Sequence, residues 1–251
     1  MRFDRYLLPL FLLAVWQALS SLEVIPDHLL PSPVRIILGL KDLMVIGMPP
    51  GHTLPYHILY SLLRVALGFG FAALFGIPMG LVMGGSSRLR RIINPVIELV
   101  RPIPPLAWIP IAILWFGIGM KSAAFIIFLG AFFPILLNTI SGVVSIDPIY
   151  FDVVRTLNAK PKDIFFKVLL PGSIPSIFVG MRIGIGIGWM TLVAAEFTGV
   201  KTGYGLGYMI MTARDIQRPD EILAGMLVIG VIGVLINSAL RAYESRVVRW
   251  Q

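Results

Sequence analysis

The chain is 251 residues long, 57% hydrophobic and 14% charged, with a mean hydropathy of +0.87, against soluble averages of roughly 45–50% apolar and 25% charged. That composition excludes a soluble globular domain and describes a polytopic membrane protein. Cysteine is absent, which excludes a disulfide framework, a thiol nucleophile and a cysteine metal site.

Six apolar runs are predicted as spans, over residues 6–22, 58–83, 96–118, 123–144, 174–197 and 222–240. The first follows Arg2 and Arg5 as a signal peptide would, but the SSLEVIPDH after it offers no small-x-small cleavage site, so a retained helix is expected. Leu30-Pro31-Ser32-Pro33 then opens an amphipathic segment, 34–45, expected to lie along the membrane surface. The third run is interrupted in its first half by Glu98, Arg101, Pro102, Pro104, Pro105 and Pro110, so its continuous helix is expected from Pro104 or Pro105 onward. The fourth carries no charge and makes about 33 Å of helix at ~1.5 Å per residue, enough for a hydrocarbon core of about 30 Å. After the fifth, 199–220 is glycine-rich and then helical around 208–214.

Between the fourth and fifth runs lies a polar, basic insert, FDVVRTLNAKPKDIFFKVLLP, at 151–171. Asp147-Pro148 is a helix-opening pair, Asp as N-cap and Pro at the first helical position, and the run to Leu157 places Ile149, Val153, Thr156 and Leu157 near one face. Asn158 falls where that helix must stop and tolerates the left-handed conformation of a C-cap. Pro161 opens a second helix with Ile164, Phe165 and Val168 on its apolar side, and Pro171 is expected to close it.

Basic residues orient the bundle. With both ends inside, the inner segments hold Arg2, Arg5, Arg88, Arg90, Arg91, Arg155, Lys160, Lys162, Lys167, Arg241, Arg246 and Arg249, whereas the outer ones hold Arg35, Lys41, Lys121, Lys201, Arg214 and Arg218. This bias puts the insert in the cytosol. The net charge of +8 is then mostly a topology signal, and no nucleic-acid partner is implied.

The insert resembles the cytoplasmic loop signature of bacterial ABC importer permeases: Glu-Ala-Ala, three residues, Gly, nine residues, Ile-x-Leu-Pro. Asp152, Val153, Val154, Asn158, Val168, Leu170 and Pro171 occupy the matching positions, with the spacing kept and the letters departing at Glu to Asp, both Ala to Val, and Gly to Asn. The stretches ELVRPIPPLAWIPIAILWFGIG, at 98–119, and GMRIGIGIGWMTLVAAE, at 180–196, are similar to the branch serving nitrate, bicarbonate, taurine and aliphatic sulfonates, and the pattern from Arg101 to Trp108 leans toward taurine and sulfonates. The resemblance implies an all-α, type I ABC importer permease fold of about six transmembrane helices, with an N-terminal helix and external segment over 1–57 and a permease core over 58–251 that carries a cytosolic coupling loop, 145–173. It implies ATP-driven import of a small anionic or zwitterionic solute by a homodimer in the bacterial inner membrane, both termini cytosolic. Two cytosolic ATPase subunits, a second permease copy, an external or periplasmic substrate-binding protein and membrane lipid are the implied partners. The ATPases would bind ATP and magnesium, leaving this chain without a cofactor. Coupling falls to Asp152, Val153, Val154, Arg155, Thr156, Leu157, Asn158 and Ala159, and near 199–220 the resemblance expects the outer gate and receptor-docking face.

No catalytic constellation is visible. A G-x-x-x-x-G-K-[ST] loop is missing, and GVKTGYG at Gly199 lacks its spacing. His28, His52 and His57 lack metal-ligand spacing and are read as solvated loop residues. The rival to an ATP-driven importer is an ion-coupled secondary transporter, but such carriers usually hold midplane carboxylates or broken helices, and the central parts of spans two, four, five and six have no acidic residue. Among intramembrane charges, Arg64 is read as snorkelling, Glu98 and Arg101 as a local ion pair, Arg182 as snorkelling, pairing or lining a pathway, and Glu196 as a gate or receptor contact. Gly180, Gly184 and Gly188 form a stripe for close helix packing or for a pathway at a dimer centre, while Trp108 and Trp189 wall that pathway or fill the core.

Overall fold

The computed structural model describes residues 4–198 and 203–247. Every element among the described residues is helical: α1 (Asp4–Ser21), α2 (Pro33–Val45), α3 (Leu54–Gly85), α4 (Ser87–Val100), a 3₁₀ turn (Pro105–Trp108), α5 (Ile109–Phe116), α6 (Met120–Val144), α7 (Pro148–Thr156), α8 (Pro161–Ile164), a π turn (Phe165–Leu169), α9 (Leu170–Thr198), α10 (Leu206–Asp215) and α11 (Pro219–Val247). Among the described residues four helical runs are long and apolar enough to cross a membrane: α3, α6, the continuous run Pro161–Phe197, and α11.

The third expected span is interrupted where its prolines fall, and its second segment starts at Pro105. It is not one helix: α4 and the segment Pro105–Phe116 meet at an 80° bend and together make at most a fifth crossing. The break has a local cause. Pro102, Pro104 and Pro105 remove backbone donors and bias the preceding residues away from helix, and Pro104 sits extended at φ −56°, ψ 137°. The first expected span lies on α1, 18 residues from Asp4 to Ser21, about 27 Å at ~1.5 Å per residue.

The chain divides into two compact units, Met1–Ser61 with Val200–Ile232, and Leu62–Gly199 with Gly233–Gln251. In the first, Ser32 caps α2 by accepting the Arg35 N–H at 3.2 Å, with Pro33 opening the helix. Ile36, Gly39 and Leu43 of this segment are buried in protein, while Val34, Ile37, Leu38, Met44 and Val45 are exposed. At Gly39 a Cβ would stand 3.0 Å from the carbonyl carbon of Asp220, a tight contact that glycine avoids where α2 meets the start of α11. Arg218 clasps this junction with bonds to Asp220 at 2.9 Å and Asp42 at 3.0 Å and an ion pair to Glu221 at 2.9 Å. The Asp220 hydrogen bond, then Asp42 and the Glu221 charge, hold its guanidinium still more firmly protonated.

His57 departs from its expected solvated setting. Helix α3 opens at Leu54, which makes His57 a helical residue, and it is fully buried. Its Nδ1 faces the Gly205 N–H at 3.0 Å and its Nε2 the His52 carbonyl at 3.1 Å. One turn on, Ser61 Oγ accepts the Leu206 N–H at 2.9 Å, so α3 anchors the opening of α10 through two side chains. Helix α10 covers the expected helical stretch, whereas 199–202 lie outside the described residues.

In the second unit α6 is the central helix. Ile127, Ala131, Ile135, Leu136 and Thr139 are fully buried, and small residues on both neighbours let them approach. On α3, a Cβ at Gly68 would lie 2.5 Å from the Ala124 oxygen, at Gly80 2.6 Å from Thr139 Cβ, and at Gly84 2.5 Å from Val143 Cβ. On α9, a Cβ at Gly180 would lie 2.8 Å from Asn138 Cβ and at Gly184 2.9 Å from the Ala131 oxygen. Both stripes repeat every four residues, which keeps them on one helix face. The α9 stripe therefore packs on α6 of its own chain.

Candidate functional site

The insert folds as two short helices. Asp147 accepts the Ile149 N–H at 2.9 Å and Pro148 starts α7. Asn158 adopts φ 53°, the left-handed value its position calls for, and the Asn158 and Ala159 N–H groups close the end on the carbonyls of Arg155 and Val154. The face of α7 is apolar and open: Ile149, Tyr150, Val153 (53%) and Leu157 (76%) are exposed. A cluster of this kind on a polar connection marks a contact surface. Asp152 and Arg155 pair with each other at 3.3 Å in solvent, which contributes little.

Pro171 does not close the second helix. The backbone runs on from Pro161 to Phe197, and the reason lies just upstream: over Phe165–Leu169 the helix widens to a π turn, with the Leu170 N–H reaching back to Phe165 O. An extra residue in that turn takes up the misfit of a proline that has no N–H to give.

Two ion pairs brace α9. Arg64 on α3 and Glu196 on α9 meet at 2.6 Å with side chains 4% and 2% exposed. Arg64 is thus paired rather than snorkelling: a buried charge of each sign, each expensive alone, is neutralised by the other. About 21 Å away along α9, at ~1.5 Å per residue, half-buried Arg182 pairs with Glu244 of α11. The only sequence cue to the first pair is that Arg64 and Glu196 carry opposite charges toward the same end of their predicted spans.

The expected pair of Glu98 and Arg101 does not form. Glu98 accepts Asn94 Nδ2 at 2.6 Å, one turn back on α4, whereas Arg101 lines a half-open cavity of about 380 Å³. Trp108 of the 3₁₀ turn, Asn138 of α6 and Ile183 and Ile187 of α9 face the same space. Of the six suggested pathway residues, Trp108 lines this cavity. Gly184 and Gly188 face α6, and the indole nitrogen of buried Trp189 lies where a Gly233 Cβ would be 3.0 Å away. Ile183 and Ile187 flank the glycine stripe by one residue, and that offset alone turns them into the cavity. Asn138, Ile183 and Ile187 were not singled out from sequence: one amide and two aliphatic side chains in apolar spans look like any packed core. A second cavity of about 300 Å³ lies among Leu67, Phe71, Phe75, Phe116, Phe125 and Phe128, with Lys121 also in its wall. Among the described residues no group of three His, Cys, Asp or Glu side chains is placed to hold a metal.

Helices long and apolar enough to cross a membrane, with an exposed helical insert running straight into one of them, define a multi-pass membrane protein. The family profile described as "Binding-protein-dependent transport system inner membrane component" matches residues 72–249, and the chain belongs to this family. It is 40% identical over 242 residues to the taurine transport system permease protein TauC of Escherichia coli, covering 95% of this chain and 86% of TauC. It is 36% identical over 170 residues to the nitrate import permease protein NrtB of Leptolyngbya laminosa, covering 68% and 60%. An ABC transporter permease protein of Methanocaldococcus jannaschii is 43% identical over 173 residues, 69% of this chain and 64% of that protein's length. The fold is that of a chain of the MetNI methionine ABC transporter in an inward-facing form, with a TM-score of 0.63, 22% identity, and coverage of 76% of this chain and 94% of that one. The chain is thus a multi-pass inner-membrane permease subunit of an ATP-driven ABC importer, and the ion-coupled alternative falls away.

Proposed function

We propose that this permease imports a small oxyanion and takes its drive from two ATPase subunits that seat the exposed face of α7. The observation that carries the coupling half is that face itself. Ile149, Tyr150, Val153 and Leu157 are apolar and exposed on a capped, preformed helix, on a connection that the basic-residue bias assigns to the cytosol. The substrate half rests on the relatives, whose names specify taurine and nitrate; both carry anionic oxygens. Residues 58–251 form the permease core, both termini are cytosolic, and a second copy of the chain completes the pathway. The partner ATPases hold ATP and magnesium, an external binding protein delivers the solute, and the permease passes it without covalent change. Coupling uses Asp152, Val153, Val154, Arg155, Thr156, Leu157, Asn158 and Ala159.

ATP-driven closure of the ATPase pair moves α7, and α8 with the π turn passes the motion into α9. The test is reconstitution with the ATPase and binding protein encoded alongside this chain, measuring uptake of taurine, ethanesulfonate and nitrate. Uptake of at least one that requires internal ATP is expected. Uptake that proceeds without ATP on an ion gradient, or ATP-driven uptake of uncharged solutes alone, overturns the reading.

A further inference from the structure

We propose that the cavity between the Pro105–Trp108 turn, α6 and α9 is an oxyanion-binding station within the permease, with Arg101 as its charge partner. Three observations carry it. The first is charge balance. Arg64 and Arg182, the other two arginines in predicted spans, each meet a carboxylate, Glu196 and Glu244. Among the described residues no carboxylate pairs with the Arg101 guanidinium, and the nearest acid in sequence, Glu98, is engaged by Asn94. Arg101 lines the cavity while itself exposed, so its charge is open to an anionic ligand with no carboxylate competing for it.

The second observation is the chemistry of the wall. Among the described residues Arg101 is the one charged residue facing the cavity, Asn138 and Trp108 bring polar atoms, and Ile183, Ile187 and Leu137 supply aliphatic surface. A guanidinium fork matches the spacing of two oxygens on one centre, as in a sulfonate or nitrate, and the aliphatic side suits a short carbon tail. The Asn138 amide donates to the Pro134 carbonyl at 2.8 Å, leaving its second N–H for a ligand oxygen. The third is size. About 380 Å³ lies at the low end of small-molecule sites, roughly 300–1,000 Å³, and holds a small organic anion with some of its water.

The proposal rests on the oxyanion reading above, and the experiment separates the two. The permease–ATPase complex is purified without binding protein in chloride-free buffer, and binding of radiolabelled taurine is measured with ethanesulfonate and nitrate as competitors. The wild type is expected to bind saturably, with displacement by at least one competitor. Arg101→Gln raises the apparent Kd at least tenfold, and Arg101→Lys restores part of the loss. Asn138→Asp keeps Arg101 but gives it a carboxylate inside the cavity, and it also weakens binding at least tenfold. Co-elution of each variant with the ATPase establishes that it folds.

Unchanged affinity in Arg101→Gln or in Asn138→Asp overturns the station. So does the absence of saturable binding by the wild type, and if uptake of these anions stays ATP-driven the station alone has failed. Saturable, Arg101-dependent binding without ATP-driven uptake supports the station and counts against the import reading instead.

Discussion

Removing one member of the Arg64–Glu196 pair is the most direct test of how this bundle is held together. Glu196→Gln leaves the Arg64 guanidinium buried at 4% exposure against a neutral amide, and Arg64→Met leaves the Glu196 carboxylate without its 2.6 Å partner. Stranding one charge of a buried pair costs about 3–5 kcal/mol. At about 2–4 °C per kcal/mol for a chain of this size, the melting temperature should fall by roughly 6–20 °C. The double variant Arg64→Met/Glu196→Gln removes both charges and should recover most of the loss, because no charge is then left buried without its counter-charge. The assay is the fraction of detergent-solubilised permease–ATPase complex that survives a heating series, read by size-exclusion fluorescence for the wild type, both single variants and the double. Single variants melting within about 2 °C of the wild type, or additive losses in the double, would refute the argument that mutual neutralisation holds α3 to α9.

Three further predictions follow from the packing. Gly184→Leu should lower the melting temperature by several degrees, since overpacking costs about 1–3 kcal/mol and its Cβ would meet the Ala131 oxygen at 2.9 Å; Gly186→Leu, whose Cβ meets nothing within 4 Å, should melt like the wild type, and equal melting of the two removes the intrachain stripe. Val153→Asp should leave the permease inserted but reduce ATPase co-purification at least tenfold, because it puts an unpaired charge in an apolar contact, and wild-type recovery of the ATPase would show that α7 does not seat there. Asn158→Gly should transport normally and Asn158→Val poorly, since φ 53° suits glycine and strains a β-branched residue; equal transport by both would show that the turn carries no such demand.

What was legible in the sequence was whatever a few neighbouring residues decide. Asp147, Pro148 and Asn158 each act through their own backbone, so both ends of α7 fall where their chemistry puts them. The prolines from Pro102 to Pro105 announced the break in the third span for the same reason, although not its 80° angle. The Arg64–Glu196 pair was hidden because its partners are 132 positions apart and each has a self-sufficient explanation. The cavity was hidden more deeply. Arg101 had a ready partner three residues back in Glu98, and only the packing of α4 shows that Asn94 holds that carboxylate. Pro171 misled because a proline forbids one backbone hydrogen bond and says nothing of a helix that widens to do without it.

The unbroken backbone from Pro161 to Phe197 is about 55 Å of rod at ~1.5 Å per residue. A rod that length transmits an axial push with little loss, but it answers a sideways push at its softest turn. Here that turn is the π segment at Phe165–Leu169, directly behind the short helices proposed to seat the ATPases. Loads along the axis would therefore reach the far end of α9 intact, and transverse ones would be spent in five residues before Leu170, making the machine selective for the direction of force as well as its size.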